Sequence, residues 1–337
     1  MSLEIIRKEM LPAIEQALKA AVQPAAGAGQ GELHAMLAYH LGWQGEGAMP
    51  QAAGKRVRPT LVLLTAWAAG GNWKNALPAS AAVELLHNFS LIHDDIQDKS
   101  EQRRGRPTLW AKWGVPQAIN AGDAMFALAH IALEDLEKTT NAQVYIQAAH
   151  VLPRTSLQLT QGQHLDLAYE EMAGLDVEAY WPMAWGKTAV LIRACTQLGA
   201  LAGGASGRVL KAYMTFGEKL GLAYQVHDDL LGIWGVEQNT GKSIVSDLVS
   251  GKKSLPVLYA LQQKGEFAKR WQNGRIQEKE VGELVGLLEK DGGRAYAREQ
   301  ASKLTEEALD ALKAAKPEKE AGEALAELAE ELGSREV

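Results

Sequence analysis

Residues 81–98 read Ala81-Ala82-Val83-Glu84-Leu85-Leu86-His87-Asn88-Phe89-Ser90-Leu91-Ile92-His93-Asp94-Asp95-Ile96-Gln97-Asp98. The run is apolar at helical spacing and ends in a cluster of carboxylates. Asp94 and Asp98 are i,i+4, and His87 is seven residues before Asp94, so all three fall near one helical face. Like charges one turn apart repel, and carboxylates in an apolar helix are costly to bury unless something positive neutralises them. A divalent cation removes both penalties. Oxygen ligands with no nearby cysteine point to magnesium, which takes one or two carboxylates and fills its remaining positions with water and phosphate oxygens. A solvated acidic helix end is the plainer reading. The apolar run before the cluster and the arginines after it argue against that.

The theme recurs far along the chain, in Gly221-Leu222-Ala223-Tyr224-Gln225-Val226-His227-Asp228-Asp229-Leu230-Leu231-Gly232-Ile233-Trp234-Gly235, where Gln225 and Asp228 are i,i+3 and share a face. Basic motifs lie near both segments. Directly after the first comes Glu101-Gln102-Arg103-Arg104-Gly105-Arg106-Pro107, whose adjacent guanidiniums each offer a planar fork to paired phosphate oxygens. Upstream stands Gly54-Lys55-Arg56-Val57-Arg58-Pro59, with Lys55 and Arg58 three apart where a helix begins, and helix N-termini favour anions. Lys187 in Gly186-Lys187-Thr188, Lys242 in Thr240-Gly241-Lys242 and Lys252 in Gly251-Lys252-Lys253 complete the set. Each lysine alone reads as an ordinary loop residue. Together with two aspartate segments they describe a pair of metal-clamping helices holding a phosphate-rich substrate.

The rest of the chain reads as helix. Ile6, Met10, Ile14 and Leu18 lie four apart in residues 3–22, and similar apolar periodicity runs through 60–69, 79–98, 117–136, 142–168, 186–203 and 207–232. No β-branched run alternates polar with apolar residues, so no sheet is expected. Gly, Pro and Asn punctuate at Gly42 to Gly54, Gly70-Gly71-Asn72, Gly203-Gly204 and Val236 to Thr240. From about residue 265 the chain is richer in Lys, Glu and Ala, which reads as peripheral helices of the same domain. The expectation is one all-α domain, a helical bundle over 1–337.

Composition narrows the class. Of 337 residues 47% are hydrophobic and 23% charged, the balance of a water-soluble globular protein. The net charge of -6 argues against a general nucleic-acid or acidic-membrane surface. The single cysteine, Cys195, leaves no internal disulfide framework and reads as a buried, inert thiol in a reducing compartment. The N-terminal residues do not read as a signal peptide, and no segment reaches the roughly 18 consecutive apolar residues of a membrane span. A cytoplasmic location is expected.

Lys55/Arg58, His87, Asp94–Asp98, Arg103-Arg104, Gly162-Gln163-x-x-Asp166, Lys187-Thr188, Gln225-x-x-Asp228-Asp229 and Lys242/Lys252 stand in the order and spacing of the trans-isoprenyl diphosphate synthases, or polyprenyl synthetases. The chain resembles that family from about residue 50 to about 260, and jointly the motifs are highly specific. The resemblance implies a bundle of roughly ten or more helices around a deep central cavity, normally a homodimer. It implies head-to-tail condensation of isopentenyl diphosphate with an allylic diphosphate, releasing pyrophosphate. By carry-over, Asp94, Asp98 and Asp228 ligate about three magnesium ions that bridge the allylic diphosphate. Arg103, Lys187, Lys242 and Lys252 contact that diphosphate, and Lys55, Arg58, His87 and Arg104 hold isopentenyl diphosphate. Lys187, Thr188 and Gln225 line the reaction centre. Asp95, Gln163, Asp166 and Asp229 are expected behind these groups. One position departs from the family pattern: Gly232 stands where the second motif usually has a third Asp, which weakens the outer metal contacts more than the clamp.

Phe89 and Ser90, five and four residues before Asp94, lie about one turn below the metal site and are expected to limit the growing chain. One bulky ring beside one small residue, with no insertion in the first motif, resembles geranylgeranyl diphosphate synthases of the archaeal type; a farnesyl product is the alternative. A class I terpene cyclase shares an aspartate-rich helix but has no use for the second phosphate site. A non-catalytic subunit of a heteromeric synthase tends to lack the first aspartate motif, which is intact here.

Overall fold

The computed structural model describes residues 2–27, 31–45, 47, 54–235 and 248–333. Lys242 and the Val236 to Thr240 turn lie outside the described residues. The principal helices are α1 (Leu3–Val22), α2 (Gly31–His40), α3 (Val57–Ala68), α4 (Leu77–Gln97), α5 (Val115–Glu134), α6 (Ala142–Glu171), α7 (Val190–Ala202), α8 (Gly207–Trp234), α9 (Leu255–Gln262), α10 (Val281–Lys290), α11 (Gly293–Ala314) and α12 (Lys319–Gly333). The all-α expectation holds. None of the described helices is long and apolar enough to cross a membrane.

The chain forms two compact units, each made of separate stretches. The first comprises Met1–Arg154, Ala194–Tyr213 and Ala315–Leu325. In it the four-residue spacing of α1 does what periodicity predicts: Ile6, Met10, Ile14 and Leu18 are all buried. Small residues on α5 allow α4 to pack closely. Ala118, Ala121, Ala129 and Ala132 are buried, and a Cβ at Gly122 would fall 2.2 Å from the His93 ring. On α7, a Cβ at Gly199 would meet the Val62 carbonyl of α3 at 2.3 Å. Cys195 is fully buried with its thiol pushed up to about 12 by burial, in keeping with an inert core residue.

One sheet does occur, contrary to the expectation of none: Gln102–Arg103 pairs antiparallel with Arg106–Pro107. Its two-residue turn places Arg104 at φ 52° and Gly105 at φ 74°, the doubly left-handed turn that matches strand twist. Strands of two residues are too short to show alternation, so no pattern announced them.

The second unit comprises Thr155–Arg193, Met214–Ala314 and Ala326–Val337. Its core joins Tyr180 and Met183 to Ala223, Val226 and Leu230 of α8, Leu255 and Leu258 of α9, and Ala297, Ala301 and Leu304 of α11. The Lys/Glu/Ala-rich tail therefore contributes core as well as surface. Alanines at near-helical spacing offer a thin apolar stripe, whereas composition records only the charged remainder.

Candidate active site

In the first unit the basic residues gather. Arg56 leads into α3 in the left-handed conformation (φ 47°, ψ 39°). Its guanidinium is 1% exposed and donates to Glu15 at 2.6 Å, to Glu84 at 2.8 Å and to the Leu41 carbonyl at 3.1 Å. This buried network fixes Lys55, which is exposed, and Arg58, which is half-buried, on either side of it. Arg58 donates to Nε2 of His87 at 3.1 Å, so that nitrogen carries no proton and the ring is the Nδ1–H tautomer. Burial, then Arg58, Arg104 and Arg103, hold His87 well below the usual imidazole range. Arg104 reaches the same place: a Cβ on Gly54, at φ +80°, would fall 2.7 Å from its guanidinium carbon. Arg58, His87 and Arg104 thus form one strongly positive cluster, and Lys55 follows Gly54 in the chain.

Sequence reading missed a further member. His40, at the end of α2, has its pKa pushed down to about 3 by burial and by the charges of Arg103, Arg104 and Arg56. Only tertiary contact with these arginines reveals it, since nothing around His40 forms a motif. Missed too was Glu84, 4% exposed, which binds Arg56 and accepts from the Asn88 amide at 3.2 Å.

The first acidic arm lies at the end of α4. Asp94 is half-buried; Asp98 is exposed and caps the helix, its N–H donating to the Asp94 carbonyl at 2.8 Å. Asp95 points elsewhere. It is 2% exposed and receives Arg103 through Nε at 2.9 and 3.0 Å and through a terminal nitrogen at 2.8 Å, which fixes that arginine beside the arm. Phe89 stands edge-on to His93 at 4.9 Å and tilts against Phe126 of α5 at 5.2 Å between ring centroids. The Ser90 hydroxyl donates back to the His87 carbonyl at 2.8 Å.

In the second unit, Lys187 does not occupy a loop. Trp185–Ala189 form one π-helical turn within a continuous helical path, a distortion that re-aims side chains. At this turn two backbones meet at glycines: a Cβ at Gly162 would fall 2.1 Å from the Lys187 nitrogen, and one at Gly186 would fall 2.7 Å from the Gly162 Cα. Lys187, half-buried, forms an ion pair with Asp166, three residues after the half-buried Gln163 on α6. Thr188 is buried and donates its hydroxyl to Oε1 of Gln225 on α8. Asp228, half-buried, follows on α8, and Gly232 is one turn further. Asp229 is 1% exposed and accepts from the Gln225 amide at 2.9 Å and from the Leu255 N–H, at the start of α9, at 3.0 Å. Burial raises its pKa, and the charge of the half-buried Lys252 opposes that.

The donor chemistry fits magnesium. Asp94 and Asp98 in the first unit and Asp228 in the second each carry hard carboxylate oxygen, the donor type magnesium takes; among the described residues no three acidic, His or Cys side chains are grouped as a metal site.

Residues 47–288 match the family described as Polyprenyl synthetase. The chain is 39% identical over 286 residues to a (2E,6E)-farnesyl diphosphate synthase of Mycobacterium tuberculosis, covering 82% of this chain and 78% of that protein. It is 41% identical over 268 residues to a geranylgeranyl diphosphate synthase of the same organism, covering 79% and 73%. Among solved structures, a polyprenyl synthetase from Streptomyces coelicolor aligns with a TM-score of 0.85 at 36% identity, over 95% of this chain and 96% of that one.

Proposed function

The chain belongs to the polyprenyl synthetase family, and on that premise we propose that it condenses isopentenyl diphosphate head-to-tail with an allylic diphosphate, releasing pyrophosphate. The observation that carries this reading is the gathering of Arg58 and Arg104 around His87, with Lys55 next to Gly54 in the chain. An enzyme that ionises one diphosphate has no need of that anion pocket; one that holds a second diphosphate does. The neutral His87 is an uncharged donor through Nδ1, while the arginines and Lys55 supply charge. We take residues 1–337 as one functional domain, acting as a homodimer.

Asp94, Asp98 and Asp228 are the residues that would hold magnesium. When bound, the ions supply Lewis-acid stabilisation of the departing diphosphate. Arg103, held by Asp95, and Lys187, Lys242 and Lys252 bind the same leaving group, adding preorganised positive charge where negative charge develops. Lys187 exchanges Asp166 for the ligand. Thr188 and Gln225 face the allylic cation with oxygen dipoles. The isopentenyl double bond attacks it, and a proton then leaves to the released pyrophosphate, a reading supported by the lack of an evident base among the described residues.

Incubation with isopentenyl diphosphate and dimethylallyl, geranyl or farnesyl diphosphate tests the reading. A coupled, longer diphosphate supports it. Hydrocarbon formed without isopentenyl consumption would establish a cyclase, and no turnover without a second protein would establish a subunit.

We propose geranylgeranyl diphosphate as the product, with farnesyl diphosphate as the alternative. The support is the Phe89 ring one turn before Asp94, with Ser90 beside it. Phe89→Ala is expected to lengthen the main product by at least one isoprene unit, read by mass spectrometry. An unchanged product distribution would remove Phe89 from this role.

A further inference from the structure

Hydrogen bonds have direction, and the chain of them in the second unit is directed from one end. Asp229 is the fixed end. Its carboxylate accepts on both oxygens, Oδ1 from Nε2 of Gln225 at 2.9 Å and Oδ2 from the Leu255 N–H at 3.0 Å. With both carboxylate oxygens in use as acceptors, the NH2 side of the Gln225 amide turns towards Asp229. That leaves Oε1 of Gln225 facing Thr188, and Oε1 is an acceptor only. The Thr188 hydroxyl therefore spends its one proton on Gln225, as observed. What the hydroxyl presents in its other directions is lone pair.

We propose that Asp229 is a positioning residue that sets the polarity of the reaction centre, fixing the Gln225 amide so that Thr188 offers an oxygen lone pair to the allylic cation. The inference rests on the placement of Thr188 and Gln225 beside that cation under the proposed function. It separates the two adjacent aspartates of the second motif by role. Asp228 is half-buried and is the metal-holding member under the proposed function; Asp229 is 1% exposed and accepts from protein donors on both oxygens. It also gives α9 a part in the chemistry, since the Leu255 N–H occupies the second oxygen.

The substitution Asp229→Asn reverses the chain. The new side chain has one acceptor, which the Leu255 N–H holds, so its NH2 faces Gln225. Gln225 must then flip, its own NH2 turns to Thr188, and the Thr188 proton is released towards the cation. The positive end of the O–H dipole replaces the lone pair.

The test is a double-mutant cycle on the full-length enzyme with isopentenyl and geranyl diphosphates. D229N is expected to lower kcat by about 100-fold, the scale of losing one preorganised dipole at a developing charge. KM for both substrates and the half-saturating magnesium concentration should stay within about twofold, which separates positioning from ligand binding. Thr188→Val should cost a similar factor and Thr188→Ser should keep most activity. Adding D229N to Thr188→Val should lower kcat by clearly less than D229N lowers it in the parent enzyme, because one of the two oxygens it orients is already gone. Effects that multiply, or a D229N defect confined to KM or to magnesium dependence, would overturn the relay alone. A Thr188→Val enzyme with unchanged kcat would overturn the placement of Thr188, and the relay with it. Neutron diffraction on the unmodified enzyme tests the direction without any variant: a Thr188 proton on the Gln225 side supports the relay, and one turned away overturns it.

Discussion

Asp94→Asn and Asp228→Asn are each expected to lower turnover by about 1000-fold, with the helices intact. The amide keeps the size and shape of the side chain but removes the charge that draws a divalent cation. Lewis-acid and electrostatic stabilisation of a departing diphosphate is worth several kcal/mol, and each 1.36 kcal/mol is tenfold in rate. Loss of one ligand therefore reaches the thousandfold range. Excess magnesium should recover part of the activity, because the defect lies in holding the ion. The double variant should fall far short of the product of the two single effects if both carboxylates serve one leaving group. Initial rates across a magnesium titration measure all three quantities. Near-normal turnover in either single variant would end the metal assignment.

Arg56→Met is expected to lower stability by about 3–5 kcal/mol, the largest effect outside the aspartates. Its partner Glu84 is the reason. With side-chain exposures of 1% and 5%, neither charge has water to fall back on. Removing the guanidinium leaves a buried carboxylate without its cation, and that uncompensated charge is the expensive state. The melting temperature should fall by roughly 10 °C, and replacing Glu84 with Met as well should restore most of the loss. The left-handed backbone at Arg56 adds a second signature. Because Lys55 and Arg58 flank it, KM for isopentenyl diphosphate should rise more than KM for the allylic substrate. A thermal melt coincident with that of the parent protein would show that the pair contributes nothing to the fold.

Helices were legible wherever apolar periodicity was long. The four-residue stripe of α1 and the aspartate-terminated α4 appear where their side chains demanded. Elements that depend on a neighbour were not legible. The π-turn at Trp185–Ala189 lies where Gly162 and Gly186 let two backbones meet. The Arg104-Gly105 turn makes a hairpin too short to have a pattern.

For the site the division follows the same physics. Sequence alone determined which side chains carry charge and which of them share a helical face, because i,i+3 and i,i+4 spacing is a local property of the helix. It thereby supplied the acidic arms, the basic clusters and the all-α architecture. Tertiary structure decided what each charged group does. Adjacent aspartates are indistinguishable as letters, yet Asp95 meets Arg103 and Asp229 meets Gln225 and Leu255, while Asp94 and Asp228 remain half-buried. Successive residues on a helix point about 100° apart, so one faces packed neighbours while the next faces away. Which direction holds the neighbours is set by residues distant in the chain, and no local spacing encodes it.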